Sequence, residues 1–151
     1  MPTRTVFFLV CALLISSCNP EPQFVFVPET QSSASLNIGA SSVSVSQGEE
    51  ILLSASRENH GSWLEVPRKS LSADDCWMVE PPSPYEEQVA GNVKWILTPA
   101  ENGTFNLGLR KDGKRSLVIS EPGAYELIAI SSVWCGEPVE SENRIVLEIT
   151  D

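Results

Sequence analysis

The stretch Glu121-Pro122-Gly123-Ala124-Tyr125-Glu126-Leu127 decides the fold that this sequence predicts. Its Pro-Gly pair is a turn signal, and from Tyr125 to Val133 the chain continues in the alternating pattern of a strand. A period of two places every second side chain on the same face, as in a strand that is buried on one side. The sequence therefore predicts a turn that leads directly into a half-buried β-strand.

The same period recurs along most of the chain on either side of this stretch. No window shows a sustained helical period, and 11 prolines and 9 glycines separate the alternating runs. Gln47-Gly48 predicts a turn between the first two of them. Short strands punctuated in this way predict an all-β fold, an antiparallel β-sandwich. The remaining predicted strands are centred on residues 43–45, 51–53, 93–97, 105–109, 117–119 and 145–149.

Lys111-Asp112-Gly113 predicts the register of one hairpin. A two-residue turn would place Phe105 opposite Ser120 and set two lysines against each other. A three-residue loop with Gly113 in the left-handed position places apolar residues beside apolar residues instead. The register that we predict therefore pairs Arg110 with Lys114, Leu107 with Leu117, and Phe105 with Ile119.

Three stretches resemble strands of immunoglobulin-like domains of the PKD type. Pro122-Gly123-Ala124-Tyr125 is similar to the start of their penultimate strand, where the tyrosine anchors a corner. Residues 46–53 are similar to the second strand, and residues 94–97 to the third, which carries the core Trp95. The resemblance implies an immunoglobulin-like domain over residues 36–151, with a long insertion at residues 58–91 between the second and third strands. The Asp-rich tract of PKD domains and the intersheet disulfide of antibody domains are missing.

The N-terminal residues have the composition of an export signal. Arg4 gives a positive start, and Val6–Ile15 is an apolar run too short to span a bilayer. The tetrad Ile15-Ser16-Ser17-Cys18 resembles the lipobox of bacterial lipoproteins, in which the cysteine is diacylated, the peptide bond before it is cut, and the new amine is acylated. The resemblance implies a signal peptide over residues 1–17, lipidation of Cys18, and attachment to the bacterial envelope. Asn19 favours the outer membrane, and an ordinary signal peptide with an incidental cysteine is the alternative.

Residues 18–35 are predicted as an acylated tether, because they are rich in Pro, Glu, Gln and Ser. Within this segment Phe24-Val25-Phe26-Val27 is a poor linker and a fair short strand. We expect these four residues to form an edge strand of the domain, with packing on a partner as the alternative.

The formal net charge of −10 restricts the partners. Phosphates repel a polyanionic chain, so we expect no nucleic acid and no anionic lipid surface as a partner. Membrane contact is expected through the lipid anchor alone.

Cys76 and Cys135 are the two cysteines that follow Cys18, and an even pair in an oxidising compartment predicts a disulfide. In the implied topology it would clasp the insertion to the loop between the last two strands. A metal site is the rival interpretation, but two thiols and the distant His60 fall short of four ligands. Asp74-Asp75 lacks the alternating Asp/Asn loop that cages calcium, which favours a solvated turn. No metal and no cofactor are expected.

Aromatic residues concentrate around the predicted bridge: Trp63, Trp77, Tyr85 and Trp134. Aromatic side chains on loops at one pole of a sandwich are a common means of binding partners. The alternative is a small satellite core beneath a long loop. That alternative is favoured for Trp77 and Trp134, which adjoin the cysteines, whereas Trp63 and Tyr85 fit both interpretations.

Catalytic motifs are not evident in the sequence. His60 is the single histidine, and we find neither a serine nucleophile elbow nor a Gly-rich phosphate loop. We therefore predict a noncatalytic recognition or assembly module whose partner is another envelope protein. The alternative is a carbohydrate-binding lipoprotein of a glycan-uptake system, with Trp63 and Tyr85 stacking on sugar rings.

Overall fold

A computed structural model describes residues 21–100, 104–112 and 114–151. The predicted signal peptide (residues 1–17), the predicted lipidation site Cys18 and the loop residue Gly113 lie outside these ranges. Within them the chain forms β-strands and a 3-10 turn at Arg68–Ser70 but no α-helix, which confirms the predicted all-β fold. The strands are β1 (Phe24–Pro28), β2 (Ser33–Ala40), β3 (Ser44–Ser46), β4 (Glu50–His60), β5 (Trp63–Pro67), β6 (Glu87–Gln88), β7 (Lys94–Thr98), β8 (Phe105–Leu109), β9 (Arg115–Ile119), β10 (Gly123–Ser131), β11 (Val139–Glu140) and β12 (Ile145–Thr150).

Two five-stranded sheets supply the core. One has the order β2-β4-β9-β8, all antiparallel, with β6 also beside β4. In the other, β10 pairs with β7, β11 and β12, and β12 pairs in parallel with β3. The buried apolar residues of both sheets form one cluster, an arrangement consistent with an antiparallel β-sandwich.

The β8–β9 hairpin has the predicted register. Leu107 lies opposite Leu117 and Phe105 opposite Ile119, and the Arg110 amide donates to the Lys114 carbonyl at 2.9 Å. The turn at Gln47-Gly48 is also present, with Gly48 at φ 76°. It passes the chain from β3 in one sheet to β4 in the other, so the strands on its two sides do not pair with each other.

Two aromatic side chains of the core keep their polar atoms satisfied. Tyr125 is buried, and its hydroxyl donates to the Glu121 carbonyl at 3.1 Å, across the turn that precedes β10. Trp95 on β7 is buried as well, and its indole Nε1 donates to the Ala90 carbonyl at 3.1 Å. Burial of such large rings is favourable only when the polar atom has a partner, and both rings meet that condition.

Strand β1 pairs antiparallel with β5 in a separate two-stranded sheet, which we call the N-terminal ribbon. The β2–β4 ladder ends with Ser33 opposite His60, and the ribbon begins with Pro28 opposite Trp63. Residues 29–32 therefore oppose residues 61–62 at a bend, and the ribbon continues the β2–β4 ladder beyond it. Gly61 has φ 117° at this bend, a conformation that favours glycine.

The ribbon corrects the predicted tether over residues 18–35. Residues 24–28 form a strand as expected, but its partner is β5 in the chain between β4 and β7, rather than an edge of the sandwich. Strand β2 already begins at Ser33, ahead of the predicted domain start at residue 36. Apolar residues of β1 lie opposite apolar residues of β5, such as Val25 opposite Val66. Pairing of the two strands is more favourable than exposure of β1 to water in a tether.

Candidate binding surface at the disulfide-linked pole

Cys76 and Cys135 form a disulfide, as predicted, with their Cα atoms 5.7 Å apart and a separation of 59 positions in sequence. It joins the chain between β4 and β7 to the loop between β10 and β11. That loop turns sharply, because Cys135 itself has φ 56°. The next residue, Gly136, lies so close to β2 that a Cβ atom there would be 2.4 Å from the Ser32 carbonyl oxygen.

The segment beside Cys76 binds the other edge of β1. The Phe26 amide donates to the Met78 carbonyl at 2.8 Å, and the Met78 amide donates to the Phe26 carbonyl at 2.9 Å. Strand β1 is thus held between β5 and Met78, and its Val25 is fully buried. We call the N-terminal ribbon, residues 76–78 and residues 133–136 the clasped pole.

Arg57 on β4 connects the two sheets next to the clasped pole. Its guanidinium contacts a Glu87 carboxylate oxygen at 3.1 Å. It also donates to the Ser131 hydroxyl at 3.1 Å and to the Ser132 carbonyl at 3.0 Å. Because β4 and β6 belong to one sheet and β10 to the other, the side chain of Arg57 fixes how the two sheets meet below the clasped pole.

The two tryptophans beside the disulfide have different environments. Trp77 is half-buried, and the Arg68 guanidinium lies over its ring, 4.5 Å from the centroid. Trp134 donates from its Nε1 to the Trp77 carbonyl at 3.3 Å, yet 58% of it is exposed. Trp77 therefore acts as packing within the pole, whereas Trp134 presents an aromatic surface to the outside.

Trp63 and Tyr85 do not meet in one site. Trp63 is half-buried and lines a groove of about 230 Å³ together with Asn59, His60 and prolines of the 81–84 segment, which we call the proline groove. Tyr85 is 78% exposed and lies outside the lining of this groove. An aromatic ring beside amide and imidazole groups offers both a stacking face and hydrogen-bonding atoms.

A larger groove, of about 500 Å³, lies at the other end of the N-terminal ribbon. We call it the Phe24 groove. The Arg68 amide donates to the Gln23 carbonyl at 3.0 Å, and the Arg68 Nε lies 3.5 Å from a Glu21 carboxylate oxygen. Its lining includes Glu21, Phe24, Pro67, Arg68, Lys69 and Leu71.

Sequence reasoning missed the Phe24 groove. The adjacent basic residues Arg68-Lys69, in the middle of an acidic chain, were a usable signal. Nothing in the sequence indicated that they would lie beside Phe24, because that contact depends on the pairing of β1 with β5.

The described residues hold no group of three or more His, Cys, Asp or Glu side chains that could bind a metal ion. Asp75 accepts a hydrogen bond from the Ser72 amide at 2.6 Å, and His60 shares one with the Ser35 hydroxyl at 3.2 Å. Within the same ranges no helix has both the length and the apolar composition to cross a membrane.

Comparison with known proteins gives no relative: no family model, curated protein sequence or solved structure matches this chain significantly.

Proposed function

We propose that this protein is a membrane-anchored lipoprotein of the bacterial envelope, whose domain acts as a noncatalytic recognition or assembly module. The anchor is proposed from the tetrad ending at Cys18. The observation that carries the recognition role is the position of the exposed large apolar side chains. Of the eight that the described residues contain, five belong to β1, to the chain between β4 and β7, or to the disulfide-linked loop: Phe24, Leu64, Val79, Tyr85 and Trp134.

We infer that the fold is immunoglobulin-like, with the chain between β4 and β7 as a long insertion. The two sheet orders support this inference, because β2, β4, β8 and β9 lie together and β3, β7, β10 and β12 lie together. The hydrogen bond from the Tyr125 hydroxyl to the Glu121 carbonyl and the burial of Trp95 on β7 also fit this family.

A cross-linked pole suits recognition for a thermodynamic reason. Binding costs conformational entropy when loops and side chains must be ordered, and a surface that is ordered beforehand avoids part of that cost. The disulfide and the Phe26–Met78 pairing hold the segment around Trp77 on both sides. Exposed aromatic rings on such a surface are typical anchors of protein interfaces.

Affinity capture from native membranes tests the recognition role. A matched pair of variants is available, because Trp134 and Val146 are both 58% exposed, and Val146 lies on β12 away from the pole. We expect Trp134→Ala to release a bound envelope protein and Val146→Ala to retain it. Equal retention by both variants would remove Trp134 from the interface.

Carbohydrate binding is the second candidate function, and the proline groove favours it. Trp63 could stack on a sugar ring while the Asn59 side-chain oxygen accepts a hydrogen bond from one of its hydroxyls and the His60 ring forms another. A glycan array probed with the intact domain and with Trp63→Ala tests this candidate. Binding that survives the substitution would argue against the groove as the sugar site.

A further inference from the structure

We propose that the Phe24 end of the clasped pole lies against the membrane, with the Phe24 groove among the lipid headgroups of the bilayer that holds the anchor, and that the proline groove stays open to partners. This inference rests on the proposed lipid attachment at Cys18. It determines which part of the molecule faces the membrane and which part is free to meet partners.

The length of chain between the anchor and the domain sets the distance. Asn19 and Pro20 separate Cys18 from Glu21, which lines the Phe24 groove. Three Cα–Cα steps of 3.8 Å span at most about 11 Å. The polar headgroup layer on each side of a bilayer is itself about 5–8 Å thick. The groove residue Glu21 is therefore held within about 11 Å of the anchor, which is close enough for the groove to contact the headgroups.

The side chains at this position suit a headgroup layer. Phe24 is 54% exposed, and Arg68 and Lys69 line the same groove. Aromatic rings and long basic side chains are favourable at the membrane interface, where their apolar parts lie deeper than their polar ends. The single carboxylate in the groove, on Glu21, lies 3.5 Å from Arg68.

The overall charge of −10 predicts membrane contact through the anchor alone, and the Phe24 groove departs from that expectation because its local charge differs. Charges separated by more than about 8 Å are largely screened at physiological ionic strength, so the residues nearest the lipid determine the local attraction. In the groove two basic side chains face one acidic side chain. The repulsion expected from the total charge therefore acts mainly on the remainder of the domain.

The N-terminal ribbon separates the two grooves. Phe24 lies opposite Pro67 at one end of it, and Pro28 lies opposite Trp63 at the other. Four residue steps along a strand cover about 13 Å. The Phe24 groove is thus the membrane-facing end, while the proline groove remains further along the ribbon for a partner or a sugar.

Photo-crosslinking of the lipidated full chain tests the proposal in vesicles of phosphatidylethanolamine and phosphatidylglycerol. The photoreactive residue p-benzoylphenylalanine replaces Phe24 in one variant and Gln47 in the control. Gln47 is exposed in the turn before β4, whose 11 residues lead to the clasped pole and extend about 33 Å. We expect lipid adducts, detected by mass spectrometry, from position 24 and not from position 47.

A spacer variant sharpens the test. A flexible insert of about 20 residues between Pro20 and Glu21 has a root-mean-square span of about 25 Å, so it should lower the adduct yield at position 24 several-fold. The double substitution Arg68→Gln with Lys69→Gln should lower the yield without the spacer.

Vesicle flotation distinguishes a failure of the proposed lipid anchor from a failure of the proposed membrane-facing end. Protein that does not float would overturn the anchor and this inference together. Protein that floats, but gives equal adduct yields at both positions or cross-links at position 24 to a protein, would overturn the membrane-facing end and leave the anchor standing.

Discussion

Trp95 and Trp63 are the same residue type in two different environments, and a comparison of the two separates the core from the pole. Trp95 lies on β7 among the buried residues of both sheets, whereas Trp63 lines the proline groove. We expect Trp95→Ala to lower the free energy of unfolding by about 3–5 kcal/mol, because removal of a buried indole leaves a cavity. Trp63→Ala should cost clearly less.

Chemical denaturation of both variants measures the difference. If Trp63→Ala destabilises the domain as much as Trp95→Ala, the aromatic residues of the pole form a satellite core, and Trp63 is not a ligand-binding residue.

Gly136 gives a second prediction, from a steric contact. A Cβ atom at this position would lie 2.4 Å from the Ser32 carbonyl oxygen, and that oxygen belongs to the backbone, which limits relaxation. We expect Gly136→Ala to lower the free energy of unfolding by about 1–3 kcal/mol through overpacking. Glu137→Ala is the control, because Glu137 is adjacent and exposed. Coincident thermal melting curves for the two variants would contradict the close approach of the loop to β2.

At the level of elements, local pairing could be predicted from the sequence and distant pairing could not. The β8–β9 register followed from Lys111-Asp112-Gly113, because a short loop allows few registers and only one brings Leu107 to Leu117. Strand β1 was recognisable from its composition. Its partner β5 was not, because some 40 residues separate Phe24 from Trp63 and the sequence Trp63-Leu64-Glu65-Val66-Pro67 has no distinctive period.

The candidate site was predictable to the same extent. The disulfide was predicted from two cysteines that follow a predicted export signal, and the aromatic residues near it were recognised. The sequence did not show which of these aromatic residues pack within the pole and which are exposed. That difference depends on Arg68 covering the Trp77 ring and on the Trp77 carbonyl accepting a hydrogen bond from Trp134. Both contacts join positions that are distant in the sequence.

Removal of the disulfide is the third prediction. A bridge that closes a loop of 59 residues stabilises a fold by about 4 kcal/mol in the chain-entropy account. We expect the double variant Cys76→Ser with Cys135→Ser to lose a large part of that stability. Amide hydrogen exchange should accelerate first at Phe26 and Met78, because the disulfide holds Met78 against β1. Uniform acceleration across both sheets would show that the pole does not open as a separate unit.

For the molecule as a whole, the central prediction concerns attachment. The variant Cys18→Ser lacks the thiol that the lipobox resemblance assigns to acylation. We expect it to leave the membrane fraction or to remain an uncleaved precursor, and to lose incorporation of a radioactive fatty acid. Fractionation of cells and lipid labelling measure both effects, with Cys11→Ser as the control that retains Cys18. Equal labelling of the two variants would end the anchor proposal.

The N-terminal ribbon also determines when the molecule can be completed during synthesis. Strand β1 is made early, but β5, Met78 and finally Cys135 must follow before its surroundings are in place. At about 5–20 residues per second, the 107 residues that follow Pro28 up to and including Cys135 take about 5–21 s to make. Until then the surroundings of β1 are incomplete, so this interval exposes the chain to misassociation. A strand that is made early is thus among the last to be completed.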